Sequence, residues 1–118
     1  MKTINFAAAD EVIITGDRNR TDNANLNQVS GPAFTILDND GKPIACGGMR
    51  IQGVAEAWYQ MNQIAEKEHL KYVMRQCKEK LEEMQREEKI FQMYAKNVIS
   101  ENFLEHLGFE KAYNIFTR

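Results

Sequence analysis

The most constraining feature of this sequence is one apolar stripe set between two strand-like runs. From Leu70 the apolar residues are Leu70, Val73, Met74, Cys77, Leu81 and Met84, at offsets 0, 3, 4, 7, 11 and 14. That spacing keeps one face of a helix apolar. Lys71, Arg75, Lys78, Glu79, Glu82, Glu83 and Arg86 take the opposite face. The pattern predicts a helix over 65–87, with its stripe buried on a sheet or laid against a partner helix. Val54–Met61 (VAEAWYQM) before it and Ile90–Ala95 (IFQMYA) after it read as strands. Strand, helix, strand is a crossover, which implies parallel pairing and a right-handed connection. Trp58 and Tyr59 are adjacent, so they point to opposite faces of the sheet. A strand with large residues on both faces is central and covered on both sides.

On either side of this unit the local signals are simpler. Ala33–Leu37 (AFTIL) and Ile44–Arg50 (IACGGMR) flank Asp38-Asn39-Asp40-Gly41-Lys42-Pro43, which predicts a β-hairpin. Asp38 and Asp40 also fit the start of a calcium loop, but no closing glutamate follows and the turn reading stands. Ser100–Leu107 predicts a short helix, with Ser100 as N-cap, Gly108 at its end, and Phe103, Leu104 and Leu107 facing inward. Ala112–Thr117 (AYNIFT) reads as the last strand. Near the N-terminus, Glu11–Thr15 (EVIIT) reads as a strand because it is β-branched. Gly16–Ser30 is rich in Asn, Asp and Thr and reads as a loop. Its Arg18 and Arg20 are either solvated or a phosphate contact.

At 118 residues the chain is long enough for one domain with a single core. Fifteen Lys and Arg against 17 Asp and Glu leave a net charge of −2, so no nucleic acid partner is expected. Cys46 and Cys77 are too few for a disulfide framework and read as small buried hydrophobes of a reducing compartment. The stretch before Asp10 and Glu11 is too short for a signal peptide, and no run approaches the ~18 apolar residues of a membrane span. The expectation is a cytoplasmic protein with no membrane partner. There is no G-x-S-x-G, Walker loop or paired metal motif.

The run Asn97-Val98-Ile99-Ser100-Glu101-Asn102-Phe103-Leu104-Glu105-His106-Leu107-Gly108-Phe109 resembles the C-terminal signature of the GCN5-related N-acetyltransferase (GNAT) superfamily. Asn97, Ser100, Phe103 and Leu107-Gly108-Phe109 take the matching places. The resemblance covers residues 33–118, with 1–32 as a short N-terminal strand and polar loop. It implies an α/β fold: a GNAT-like mixed β-sheet with a long crossover helix, a short C-terminal helix and an abbreviated N-terminal part. Three departures stand out. The superfamily's glycine loop for the CoA pyrophosphate has no counterpart in Gln60–His69, which holds Glu66 and Glu68 instead. Leu104 stands where a tyrosine often protonates the departing thiolate. The N-terminal strand and helices of the acceptor side must be abbreviated or missing. The combined pattern resembles a divergent phage-type branch that includes GNAT-like internal virion proteins of short-tailed phages, which implies a host cytoplasm or virion location.

The resemblance implies acetyl transfer from acetyl-CoA to an amine. Pantetheine would lie in a gap with Trp58, Tyr59 and Met61 on one side and Met93–Asn97 on the other. Asn97 either bonds pantetheine or caps the following helix. Glu56, the carboxylate inside the third strand of the domain, is either the base or else part of an ion pair or an edge position facing solvent. His106 is either an acid or base near the thiol or a solvated helix residue. His69 is either a phosphate contact or exposed, and Tyr94 or Tyr113 could replace the lost acid. Two functional readings stand: an acetyltransferase, or a GNAT fold that has lost its chemistry and binds a protein partner. A homodimer is also expected, because an abbreviated N-terminus would leave sheet surface uncovered.

Overall fold

The computed structural model describes residues 1–52, 54–90, 92–96, 101–112 and 115–117. Its elements run β1 (Lys2–Asn5), α1 (Ala8–Thr15), a 3-10 turn (Arg18–Arg20), α2 (Thr21–Ser30), β2 (Ala33–Leu37), β3 (Pro43–Gln52) and β4 (Val54–Met61). Then come α3 (Gln63–Glu87), β5 (Met93–Lys96), α4 (Glu101–His106), β6 (Glu110–Ala112) and β7 (Ile115–Thr117). One sheet holds all seven strands in the order β1-β2-β3-β4-β5-β7-β6. Every pairing is antiparallel except β4 with β5. The crossover read from the stripe is therefore present, with α3 carrying the chain from β4 to its parallel neighbour. Among the described residues, no helix is long and apolar enough to cross a membrane.

The sheet has a helix pair on each face. On one face Val73, Cys77, Leu81 and Met84 of α3 pack with Phe103, Leu104 and Leu107 of α4 against Phe34, Met49, Ala55 and Met93 of the sheet. On the other face Ile14 of α1 packs on Cys46 and Trp58, with Phe6 and Ala33 alongside. Trp58 and Tyr59 lie in different clusters, as their alternation requires. Leu70, at the start of the stripe, is 37% exposed, and the stripe is first fully buried at Val73.

Three local expectations are corrected. The expected strand Glu11–Thr15 is the latter part of helix α1. The Asp10 carboxylate accepts the Ala7 N–H at its start, and Gly16 ends it with φ 68, the left-handed conformation a helix-ending glycine supplies. Glu11 and Ile14, three apart, take the buried face, and that period overrides the β-branched propensity of the run. Most of the expected loop Gly16–Ser30 is likewise helical. Helix α2 buries Ala24 and Asn27, again three apart, while its larger apolar residues Leu26 and Val29 are exposed, which is why it carries no buried apolar stripe. The N-terminal strand and two helices are present in short form, which agrees with the abbreviated rather than the missing alternative. They cover the sheet face that an absent N-terminal part would have left bare. Finally, of the expected strand Ala112–Thr117, Ala112 ends β6 and Ile115–Thr117 form β7; β6 and β7 pair with each other, and β7 inserts beside β5. The expected hairpin between β2 and β3 forms. Asp38 Oδ1 accepts the N–H groups of Asp40 and Lys42 at 2.9 Å each, which spends its carboxylate on the turn.

Candidate functional site

The parallel pair β4–β5 stays together for only two residue pairs, Ala55↔Met93 and Glu56↔Tyr94. Strand β4 then runs on through Ala57–Met61, still paired with β3 but with no further β5 partner among the described residues. The two strands part after Glu56, so beyond it the β5 side of β4 has no strand partner among the described residues. Such an edge binds a chain that brings its own amides. Ala57, Tyr59 and Met61 pack against the α3/α4 core. An apolar cavity of about 30 Å³, room for one or two waters, opens there between Ala57, Tyr59, Cys77, Leu81, Phe103 and Leu104.

Tyr59 joins the two walls of this slot. Its ring stacks on Phe103 of α4, with centroids 4.6 Å apart and planes at 30°. Its hydroxyl donates to Met61 Sδ at 2.8 Å. The neighbouring Leu104 is 1% exposed and offers no proton. Burial pushes the Cys77 thiol up to about 12, so at neutral pH it is protonated and a poor nucleophile. Just past the far end of β4 the Asn62 N–H donates to the Ile44 carbonyl at 2.8 Å, which fixes where β4 gives way to α3.

The opposite face of β4 is polar. Arg50 Nη1 donates to Glu56 Oε1 at 2.9 Å, and Arg50 Nε donates to Asn27 Oδ1 at 2.7 Å. Asn27 Nδ2 donates to Glu11 Oε1 at 2.7 Å, and Arg20 closes the chain on Glu11 Oε2 at 3.2 Å. Glu11 and Asn27 are fully buried. This network ties α1, the 3-10 turn and α2 to β3 and β4. Beside it Trp58 meets the edge of Phe6 at 5.2 Å and lies 6.0 Å from the Arg50 guanidinium. The buried Trp58 Nε1 has no acceptor among the described residues. The Cys46 thiol is held far above its ordinary range, first by burial and then by the charges of Glu11 and Asp10.

Of the residues singled out from sequence, Tyr59 and Met61 meet at the slot, and Trp58 lies across the sheet from them. Glu56 is 8% exposed and paired with Arg50, as in its ion-pair reading, and it sits at the point where the strands part. His106 ends α4 on an exposed position. His69 Nε2 lies 3.6 Å from the Glu68 carboxylate. The ladder places Tyr94 beside Glu56. Asn97 and Tyr113 lie outside the described residues, as does the expected N-cap Ser100. Sequence reasoning missed Glu11, Asn27 and Arg50, whose roles come from contacts between distant segments and leave no local pattern. Among the described residues, no group of three or more His, Cys, Asp or Glu could hold a metal.

Neither a protein-family model nor a curated protein matches the sequence. Solved structures do match its fold over nearly the whole chain. A protein assigned as a phosphinothricin N-acetyltransferase superposes with a TM-score of 0.72 at 14% identity, covering 99% of this chain and 96% of that one. The ribosomal-protein-S5-alanine acetyltransferase of Vibrio fischeri gives 0.68 at 12% identity, covering 98% and 91%. The ribosomal-protein-S18-alanine N-acetyltransferase of Escherichia coli gives 0.65 at 14% identity, covering 98% and 88%. With its single parallel pair splayed beside a long crossover helix, this chain has the fold of the GNAT acetyltransferases.

Proposed function

We propose that this protein transfers an acyl group, acetyl foremost, from acyl-CoA to an amine. The observation that carries the reading is the parting of β4 from β5 after Glu56↔Tyr94 while β4 continues. Pantetheine is a thin chain with amides spaced along it. It would lie in the slot as a short extra strand on the open edge of β4, with its thioester near Tyr59–Met61. A β4 N–H there would polarise the carbonyl. The amine nitrogen attacks the carbonyl carbon, the C–S bond breaks, and the sulfur leaves with the electron pair. Glu56, at the apex of the slot, takes the amine's proton through water. The high thiol pKa of Cys77 favours this direct transfer over an acyl-cysteine intermediate.

The test begins with binding. Acetyl-CoA at a hundred times its dissociation constant should stabilise the fold by about 2.7 kcal/mol, a rise in Tm of roughly 10 °C. No shift at millimolar acetyl-CoA would end the acyl-transfer reading. With binding in hand, Glu56→Gln should lower CoA release to a panel of amines by about a hundredfold. Undiminished release would remove Glu56 from the mechanism.

A second reading keeps the fold without the reaction, and the glycine-free Gln60–His69 and the buried Leu104 favour it. Exposed Ile13, Leu26 and Val29 on α1 and α2 would then meet a protein partner or a second copy of the chain. The phage-type branch, with its host cytoplasm or virion location, draws its support from the sequence pattern.

A further inference from the structure

We propose that the acceptor is a free amino acid, with its carboxylate held by Arg50 and its amine brought to Glu56. This inference rests on the acyl-transfer reading above and names its substrate class. Arg50 and Glu56 stand opposite each other in the β3–β4 ladder, and their side chains are bonded at 2.9 Å. A guanidinium and a carboxylate side by side complement a molecule that carries an ammonium and a carboxylate on one carbon. Arg50 also has a donor to spare. Its Nη1 donates to Glu56 and its Nε to Asn27, while Nη2 has no partner among the described residues. The bond to the buried Asn27 and the Trp58 ring, 6.0 Å away, hold the guanidinium in place. Such a preset fork binds a carboxylate at low entropic cost. The Arg50 side chain is 27% exposed against 11% for Glu56, so a molecule arriving from solvent meets the guanidinium first.

Electrostatics separates the classes of acceptor. Arg20 pairs with Glu11 and Arg50 with Glu56, so the network has no surplus negative charge to draw in a bare cation. An amine without an acid group brings its ammonium to Glu56 and to the neighbouring guanidinium at once, gaining at one and losing at the other. An amino acid gains at both. Capping its carboxylate as an amide removes the charge-assisted bond to Arg50. In the transfer step the carboxylate stays on Arg50 and changes no bond. The ammonium gives its proton through water to Glu56, and the freed amine attacks the thioester as described above, so no further reactant is required.

The test follows CoA thiol release from acetyl-CoA with the common free amino acids and with the same residues as carboxamides. The best free acid should exceed its carboxamide by about tenfold or more in kcat/KM. Arg50→Gln should bring that ratio close to unity. Arg50→Lys, which keeps the charge but not the fork, should fall between. A thermal melt checks that each variant folds, and the wild-type ratio decides the matter if Arg50→Gln does not. Carboxamides used as well as the acids, or no release to any free amino acid by a protein that binds acetyl-CoA, would overturn the proposal and leave the acyl-transfer reading standing. A folded Arg50→Gln protein that is slow but keeps the full ratio would do the same, since Arg50 would then act only on the structure. Failure of the wild type to bind acetyl-CoA would overturn both.

Discussion

The two faces of β4 are built from different chemistry. Toward α1 and α2 the strand presents Glu56 to Arg50, and the polar chain runs on through Asn27 and Glu11 to Arg20. Toward α3 and α4 it presents Ala57, Tyr59 and Met61 to an apolar wall, with one aromatic stack and one hydrogen bond to a thioether. The first face holds its partners by directional bonds between fully or largely buried groups, and these fix the position of α1 and α2. The second has few directional bonds beside the parted strands, so an incoming chain would have little to displace. One strand thus does two things: one face secures α1 and α2 by directional bonds, and the other packs against α3 and α4 by apolar contact.

Glu11→Ala breaks the polar face most severely. It strands Asn27 and the Arg20 guanidinium and empties the fully buried centre of the network. The expected cost is about 3 kcal/mol in urea melts, with a fall in Tm of roughly 10 °C. A loss under about 1 kcal/mol would mean that the network is incidental to stability.

On the apolar face the corresponding handle is pH. Cys77 titrates near 12 in the folded protein against an ordinary 9.0, so above pH 9 the unfolded chain releases a proton that the native state keeps. Its contribution to stability is complete below pH 9 and is lost as pH rises from there toward 12. By pH 10 the loss amounts to about 1 kcal/mol. Urea melts at pH 8 and pH 10 should show a smaller decline in Cys77→Ala than in the wild type. Equal declines would place the thiol in contact with water.

Trp58→Phe is the smallest of the three effects. It keeps an aromatic ring against Phe6 and removes an N–H that has no acceptor among the described residues. Lost contact area and the removed desolvation cost should nearly cancel, leaving stability within about 0.5 kcal/mol of wild type. A loss above about 2 kcal/mol would show that the indole N–H is satisfied after all.

The same contrast explains what could be read from the sequence. The α3 stripe, the hairpin and the short helix with Leu107-Gly108 are legible because apolar periodicity and turn residues act locally. Helices α1 and α2 are not. Glu11–Thr15 has strand propensity, and α2 hides its packing in Ala24 and a buried Asn27 whose partners, Glu11 and Arg50, lie on other elements. Tyr59 and Met61 were expected at the gap and share the strand face beside it, whereas Trp58, expected there with them, packs on the opposite face with Ile14 and Phe6. The stack of Tyr59 on Phe103 joins β4 to α4 and has no sequence signature, and neither does the exposure of His106.

The central claim is that β4 from Ala57 to Met61 has an open edge that receives acyl-CoA, and amide hydrogen exchange tests it residue by residue. In the free protein, the amides of this segment that point away from β3 should exchange quickly. With saturating acetyl-CoA they should slow at least about tenfold, while amides of β3 keep their rates. If acetyl-CoA binds and these amides exchange no more slowly than before, the ligand lies elsewhere and the slot is not its site.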